Sequence, residues 1–160
     1  MKMSAQEEYG LRLLLRLSQQ GEGGSLTIPE LSKLEGISQA NVGKMMRVLR
    51  KGALVTSTRG KEGGYTLARP AAEINVGEAL CILGGRLYDA SYCERHAGTG
   101  GALCTHTSDC SIRSVWRHLQ EAIDAVLGRL SLKDLLRSEQ DMTSFSGTRV
   151  IPVSLSSRPL

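Results

Sequence analysis

Three features predict a mainly α-helical fold with a small β-wing, a winged helix-turn-helix followed by a long dimerisation helix. Two capped helical segments meet at a short turn containing Gly36. Behind them, two strand-like runs (53–57 and 65–68) flank a basic, glycine-rich loop. A further amphipathic helix then opens at Ser111.

Ser4 caps a first helix running to Gln20, with Glu7 and Glu8 in its first turns and Leu11, Leu14, Leu15 and Leu17 at roughly helical spacing. Gly21-Glu-Gly-Gly ends it. Thr27, Pro29 and Glu30 form a capping-box start for a second helix over 28–35, buried through Ile28, Leu31 and Leu34. After the Gly36-Ile37 turn, Ser38 caps a third helix running to about Lys51, with Val42, Met45, Met46 and Leu49 inward. Helix, glycine turn and capped helix make the helix-turn-helix pattern, and the two strand-like runs with their loop make the wing. A short helix over 75–83 is stopped by Gly84-Gly85. Residues 86–109 lack periodicity and carry cysteines, an unusually long loop for a compact domain. From Ser111 to about Leu130, Ile112, Val115, Trp116, Leu119, Ile123 and Val126 form one apolar stripe. Ser131-Leu-Lys-Asp-Leu-Leu starts a last short helix.

The expected organisation is therefore a winged-helix domain over 1–84, a cysteine-bearing loop over 85–110, dimerisation helices over 111–137 and a disordered tail over 138–160. The first helix is expected to pack on the dimer.

Among 160 residues, 41% are hydrophobic but only 4% aromatic, so the core is aliphatic. No apolar run approaches the roughly 20 residues that span a bilayer, and the charged first helix is no signal peptide. The expectation is a cytoplasmic protein with no membrane partner. Net charge is +4. Its distribution matters more than its sum: Lys44, Arg47, Arg50, Lys51, Arg59, Lys61 and Arg69 are opposed over that stretch by Glu62 alone.

The third helix presents Gln39, Ala40, Asn41, Gly43, Lys44 and Arg47 outward, and amides and cations are the groups that reach base edges and phosphates. Ser38 lies at its N-terminus, which suits a phosphate. Arg59 and Lys61 fall at the wing tip, where arginine favours a narrow minor groove. A solvated face would look similar, but together with a wing the pattern points to double-stranded DNA. One such module covers one half-site, so a two-fold symmetric operator and a homodimer joined through the long helix are expected. Internal packing of that helix is the alternative. No base–nucleophile pair or cofactor fingerprint points to an enzyme.

Cys93, Cys104 and Cys110 crowd into 18 residues, separated by ten and then five others. In a cytosolic chain such clustering favours metal or redox chemistry over structural disulfides. Paired Cys-x-x-Cys zinc spacing is missing. Three soft thiolates on a glycine-rich loop suit an iron–sulfur cluster with one non-cysteine ligand, the 2Fe–2S form slightly preferred over 4Fe–4S. His96, His106, Asp109 and the remote Glu8 are the candidates for that ligand. Free or regulatory thiols, a disulfide, and zinc remain alternatives. Cys81, beside Leu80, Ile82 and Leu83, is expected in the core.

These residues resemble the family of the iron–sulfur regulator IscR, the nitric oxide sensor NsrR and the cysteine-metabolism regulator CymR. The resemblance rests on Glu8-Tyr-Gly-Leu-Arg, Ile28-Pro-Glu-Leu, Gly36-Ile-Ser, Leu49-Arg-Lys-Gly-Ala-Leu-Val, Arg59-Gly-Lys-Glu-Gly-Gly-Tyr-Thr-Leu-Ala-Arg, Asn75-Val-Gly-Glu-Ala, Cys110 with Val115-Trp116, and Ser131-Leu-Lys-Asp-Leu. It spans about residues 1–137. It implies a winged-helix dimer with a long crossing helix, major-groove contacts from Ser38 and the recognition-helix face, and a wing contact from Arg59. The expected DNA-contact set is Ser38, Gln39, Asn41, Lys44 and Arg47 with Arg59, Lys61, Gly63 and Tyr65 of the wing. Three positions depart from IscR-like proteins: the first cysteine gap is ten, Arg113 replaces the histidine ligand, and Gly43 replaces a recognition-helix glutamate. NsrR-like members use an acidic residue of the other subunit's first helix, and Glu8 occupies that position. The resemblance thus implies Cys93, Cys104, Cys110 and a partner Glu8 as ligands. A metal-free thiol-switched repressor, or one regulated by a partner protein, is the alternative.

Overall fold

The computed structural model describes residues 3–58, 63–89, 91–95, 104 and 109–145. Its helices are α1 (Ala5–Ser18), α2 (Ile28–Glu35), α3 (Gln39–Lys51), α4 (Val76–Gly84), α5 (Tyr92–Arg95), α6 (Ser111–Leu127) and α7 (Glu139–Phe145), with strands β1 (Val55–Ser57) and β2 (Tyr65–Leu67) after α3. Short 3-10 turns cover Ala71–Glu73 and Asp134–Leu136.

Local chemistry sets the helix starts. In α1 the Ser4 amide donates to Glu7 Oε2 at 2.7 Å while the Glu7 amide donates to Ser4 Oγ at 3.2 Å. Thr27 and Glu30 repeat this reciprocal box at α2. Gly36, at φ +66°, closes α2 in the left-handed conformation that an L side chain adopts only at a cost of roughly 1 kcal/mol. α1 and α2 are then locked together. Glu35, its side chain only 7% exposed, accepts from Arg12 Nε at 2.9 Å and Arg16 Nε at 2.6 Å. That lock orients the helix-turn-helix.

The core is one aliphatic cluster: Leu13, Leu14 and Leu17 of α1, Leu31 of α2, Val42, Met45, Met46 and Leu49 of α3, and Leu83 of α4, closed by Leu54, Val55, Ile74 and Leu132. Gly10 allows α4 to approach α1; a Cβ there would overlap the Leu83 side chain.

β1 and β2 pair antiparallel, Val55 opposite Leu67 and Ser57 opposite Tyr65. Tyr65 also exchanges both backbone hydrogen bonds with Leu26, at 2.8 and 3.0 Å. The wing is thus rooted on the segment before α2. Thr58 and Gly64 close its base, the Gly64 amide donating to Thr58 Oγ1 at 3.0 Å.

Asn75 joins this domain to α6. Its Oδ1 accepts the Glu78 amide at 3.1 Å, capping α4. Its Nδ2 lies within reach of the carbonyls of Leu127, Gly128 and Leu130, at 3.2, 3.1 and 3.0 Å, where α6 ends. Asn75→Ala removes a cap and at least one carbonyl partner, so it should cost about 2 kcal/mol. Chemical denaturation checks this, and an unchanged midpoint would dismiss the joint.

Several expectations need correction. Leu34 is 47% exposed, because the two turns of α2 offer one position, Leu31, to both α1 and α3. Cys81 is exposed, since α4 packs inward through Ala79 and Leu83 and leaves Cys81 on the side turned to α6. There it lines a cleft of about 490 Å³ with Glu7, Gly84, Ile123 and Leu127. α6 ends at Leu127, earlier than expected. The segment from Ser131 makes a 3-10 turn, with Ser131 Oγ donating to Asp134 at 2.7 Å. The segment expected to be a disordered tail opens with α7. The cysteine loop contains α5.

Candidate nucleic-acid interface and cysteine-bearing segment

α3 separates its residues cleanly. Val42, Met45, Met46 and Leu49 are buried, whereas Ser38, Gln39, Asn41, Lys44, Arg47 and Arg50 are exposed. Ser38 Oγ accepts the Asn41 amide at 3.4 Å and starts the helix, so its N-terminus faces outward. Among the described residues, Lys44, Arg47, Arg50 and Lys51 have no carboxylate partner. A cationic, amide-bearing helix face left uncompensated on a rigid core suits a polyanion.

The wing residues divide differently. Gly63 is exposed, whereas Tyr65 is half-buried against the core and held by Leu26, so it belongs to the root of the wing. Arg59 and Lys61 lie outside the described residues.

All four cysteines are free thiols; Cys93, Cys104 and Cys110 are half-buried. Cys110 is the N-cap of α6, its Sγ accepting the Arg113 amide at 3.3 Å. Cys93 lies in α5, its Sγ 3.9 Å from the Tyr88 hydroxyl. Burial first, then Cys93 itself, raises the Tyr88 pKa above the usual phenol value. Asp89 clasps the start of α5: Arg95 and Ser91 hold its carboxyl down to about 2, so the clasp is ionised at neutral pH. Glu8 is exposed on α1. Among the described residues no three His, Cys, Asp or Glu side chains converge as a metal site. His96 and His106 lie outside those residues.

α6 is only shallowly embedded in its own subunit. Gln120 is the only buried residue of its 17, while Ile112, Val115, Leu119 and Val126 are 60%, 54%, 40% and 43% exposed.

Residues 3–138 match the Rrf2 family, described as iron-dependent transcriptional regulators. The chain belongs to the Rrf2 family. It is 31% identical over 137 residues to protein rrf2 of Nitratidesulfovibrio vulgaris (Hildenborough), covering 86% of this chain and 88% of that one. To the transcriptional regulator IscR of Xenorhabdus nematophila it is 29% identical over 140 residues, covering 88% and 82%. Among solved structures, T. potens IscR superposes with a TM-score of 0.62 at 29% identity, covering 85% of this chain and 86% of that one. CymR, the global cysteine regulator of B. subtilis, superposes with a TM-score of 0.66 at 24% identity, covering 84% and 95%, a likeness of fold. The helical fold with a two-stranded wing is therefore the Rrf2-type winged helix. This Rrf2 protein is a DNA-binding transcriptional regulator, and its relatives are regulators rather than enzymes. Among the described residues no helix is long and apolar enough to cross a membrane.

Sequence reasoning singled out the α3 face and the cysteines but passed over Tyr88 and Gln120. A glutamine inside an apolar stripe was the available signal.

Proposed function

We propose that this Rrf2 regulator acts in the cytoplasm as a homodimer on a two-fold symmetric operator. It responds to redox state, nitric oxide or iron–sulfur status through a cluster held by Cys93, Cys104 and Cys110, with Glu8 of a second copy as the non-cysteine ligand. The observation that carries the DNA half is the exposed α3 face, whose cations lack partners among the described residues. Ser38, Gln39, Asn41, Lys44 and Arg47 enter the major groove, and Arg59, Lys61, Gly63 and Tyr65 serve the wing contact.

The donor set fits an iron–sulfur cluster by type: three free thiols, one of them capping a helix, and an exposed carboxylate for the remaining position. When bound, a cluster supplies a centre that exchanges electrons and reacts with nitric oxide, with 2Fe–2S slightly preferred over 4Fe–4S. The residues' own part is to present soft sulfurs from α5, from Cys104 and from the α6 N-terminus. A second reading, a metal-free thiol switch or control by a partner protein, draws on the same free and half-exposed thiols.

Anaerobic purification with iron and sulfide analysis decides between them. The natural chain should carry both, and the Cys93→Ser/Cys104→Ser/Cys110→Ser variant should lose nearly all of both. Glu8→Ala should hold its cluster more weakly while the metal-free protein stays folded. A colourless natural chain whose DNA affinity follows thiol oxidation would favour the second reading.

A further inference from the structure

The buried glutamine of α6 is the starting point. On a helix that leaves Ile112, Val115, Leu119 and Val126 exposed, Gln120 is 7% exposed. Both ends of its amide are used. Its Oε1 accepts the Tyr88 amide at 3.0 Å, and its Nε2 donates to Asp124 Oδ1 at 2.8 Å. Asp124 is in turn paired with Arg86, two residues before Tyr88. The segment entering the cysteine loop is therefore pinned to α6 at two neighbouring points. From there Tyr88 reaches forward: its hydroxyl meets Cys93 Sγ at 3.9 Å, and its ring packs on Tyr92 with centroids 5.6 Å apart. The Asp89 clasp with Ser91 and Arg95 holds the short helix between them.

We propose that Gln120 and Tyr88 are positioning residues for Cys93: Gln120 fixes the Tyr88 backbone on α6, and the Tyr88 hydroxyl fixes the Cys93 sulfur. The geometry has a direct consequence. Cys93 and α6 become parts of one hydrogen-bonded unit, so a change in the bonding of Cys93 bears on the long helix through two residues. The role given to Cys93 as a sensor rests on the reading above, but the positioning itself does not. It holds for the bare thiol.

The test is site-resolved alkylation of metal-free, full-length protein with iodoacetamide, Cys81 serving as the internal control. Gln120→Leu keeps the side-chain bulk but leaves the Tyr88 amide without its acceptor. Losing one hydrogen bond of about 1 kcal/mol should raise the Cys93 rate about fivefold with the Cys81 rate unchanged. Hydrogen exchange across 88–95 should rise with it. The exchanged pair Gln120→Glu/Asp124→Asn returns an acceptor to Tyr88 and a donor to position 124, and should restore the natural rate. Tyr88→Phe keeps the ring and backbone, and should also release Cys93. That variant decides the matter if Gln120→Leu does not fold. Equal rates at Cys93 in all variants, or equal acceleration of Cys81 and Cys93, would overturn the proposal. Because no metal is present, a chain that never binds iron leaves this result readable.

Discussion

Lys44→Ala/Arg47→Ala should weaken specific DNA binding by about 100-fold at moderate salt, with the helix-turn-helix intact. Each interaction of this kind is worth about 1–3 kcal/mol, and roughly 1.4 kcal/mol is tenfold in affinity. Both side chains are exposed and have no acidic partner among the described residues, so their removal leaves nothing buried unpaired. Stability should therefore stay within about 0.5 kcal/mol of the natural chain. The probe is a duplex selected by the natural protein from a random-sequence pool, titrated at several salt concentrations. The plot of log affinity against log salt should flatten by about one unit for each phosphate that the variant no longer neutralises. Lys33→Ala, on the exposed side of α2, is the control for a general charge effect. If the double variant binds like the control, the α3 face is not the groove-reading surface.

How much of this was legible in the sequence depends on how local the cause is. The Ser4–Glu7 and Thr27–Glu30 boxes and the Gly36 stop act within a few residues, and the α1–α3 boundaries followed closely. The inward face of α3 followed from period alone because α1, α2 and β1 surround it on one side only. Leu34 and Cys81 were misplaced for the opposite reason. Apolar neighbours in sequence do not say which face a two-turn helix turns to its partners, and that depends on how α1 and α6 lie. Gly10 shows a signal that could have been used. Glycine in a helix interior costs roughly 1 kcal/mol relative to alanine, so its presence between Tyr9 and Leu11 points to a close approach, here by Leu83. Asn75 was legible only as the start of a short helix, and its hold on the α6 C-terminus spans more than 50 residues with no sequence signature. The cysteines were legible as a cluster in sequence. Their arrangement in space depends on residues 96–108, which outside Cys104 are not among those described.

Val115→Glu/Leu119→Glu should convert the protein to a monomer at micromolar concentration and abolish tight binding to a two-half-site duplex. The reasoning starts from α6 alone. A water-soluble helix of this length places its apolar stripe against something, yet its own subunit buries only Gln120. Val115 and Leu119 stand one turn apart at 54% and 40% exposure, in the middle of the uncovered stripe. In a symmetric pairing each substitution enters the interface twice, so four carboxylates lose water without a partner, each at a cost of several kcal/mol. That exceeds what four half-covered aliphatic side chains return, since full burial of each is worth about 1.5–3 kcal/mol. Sedimentation should show the natural chain as a dimer and the variant at half its mass, both with the same helix content. The DNA consequence follows from linkage. A tethered second module acts at millimolar effective concentration, so separating the two removes a factor of roughly 10² to 10⁴ in affinity for the full site. Binding to an isolated half-site should barely change, because neither substitution lies on α3 or the wing. A natural chain that sediments as a monomer, or a variant that remains a dimer, would assign this stripe to some other partner and leave the operator without its two-fold symmetry.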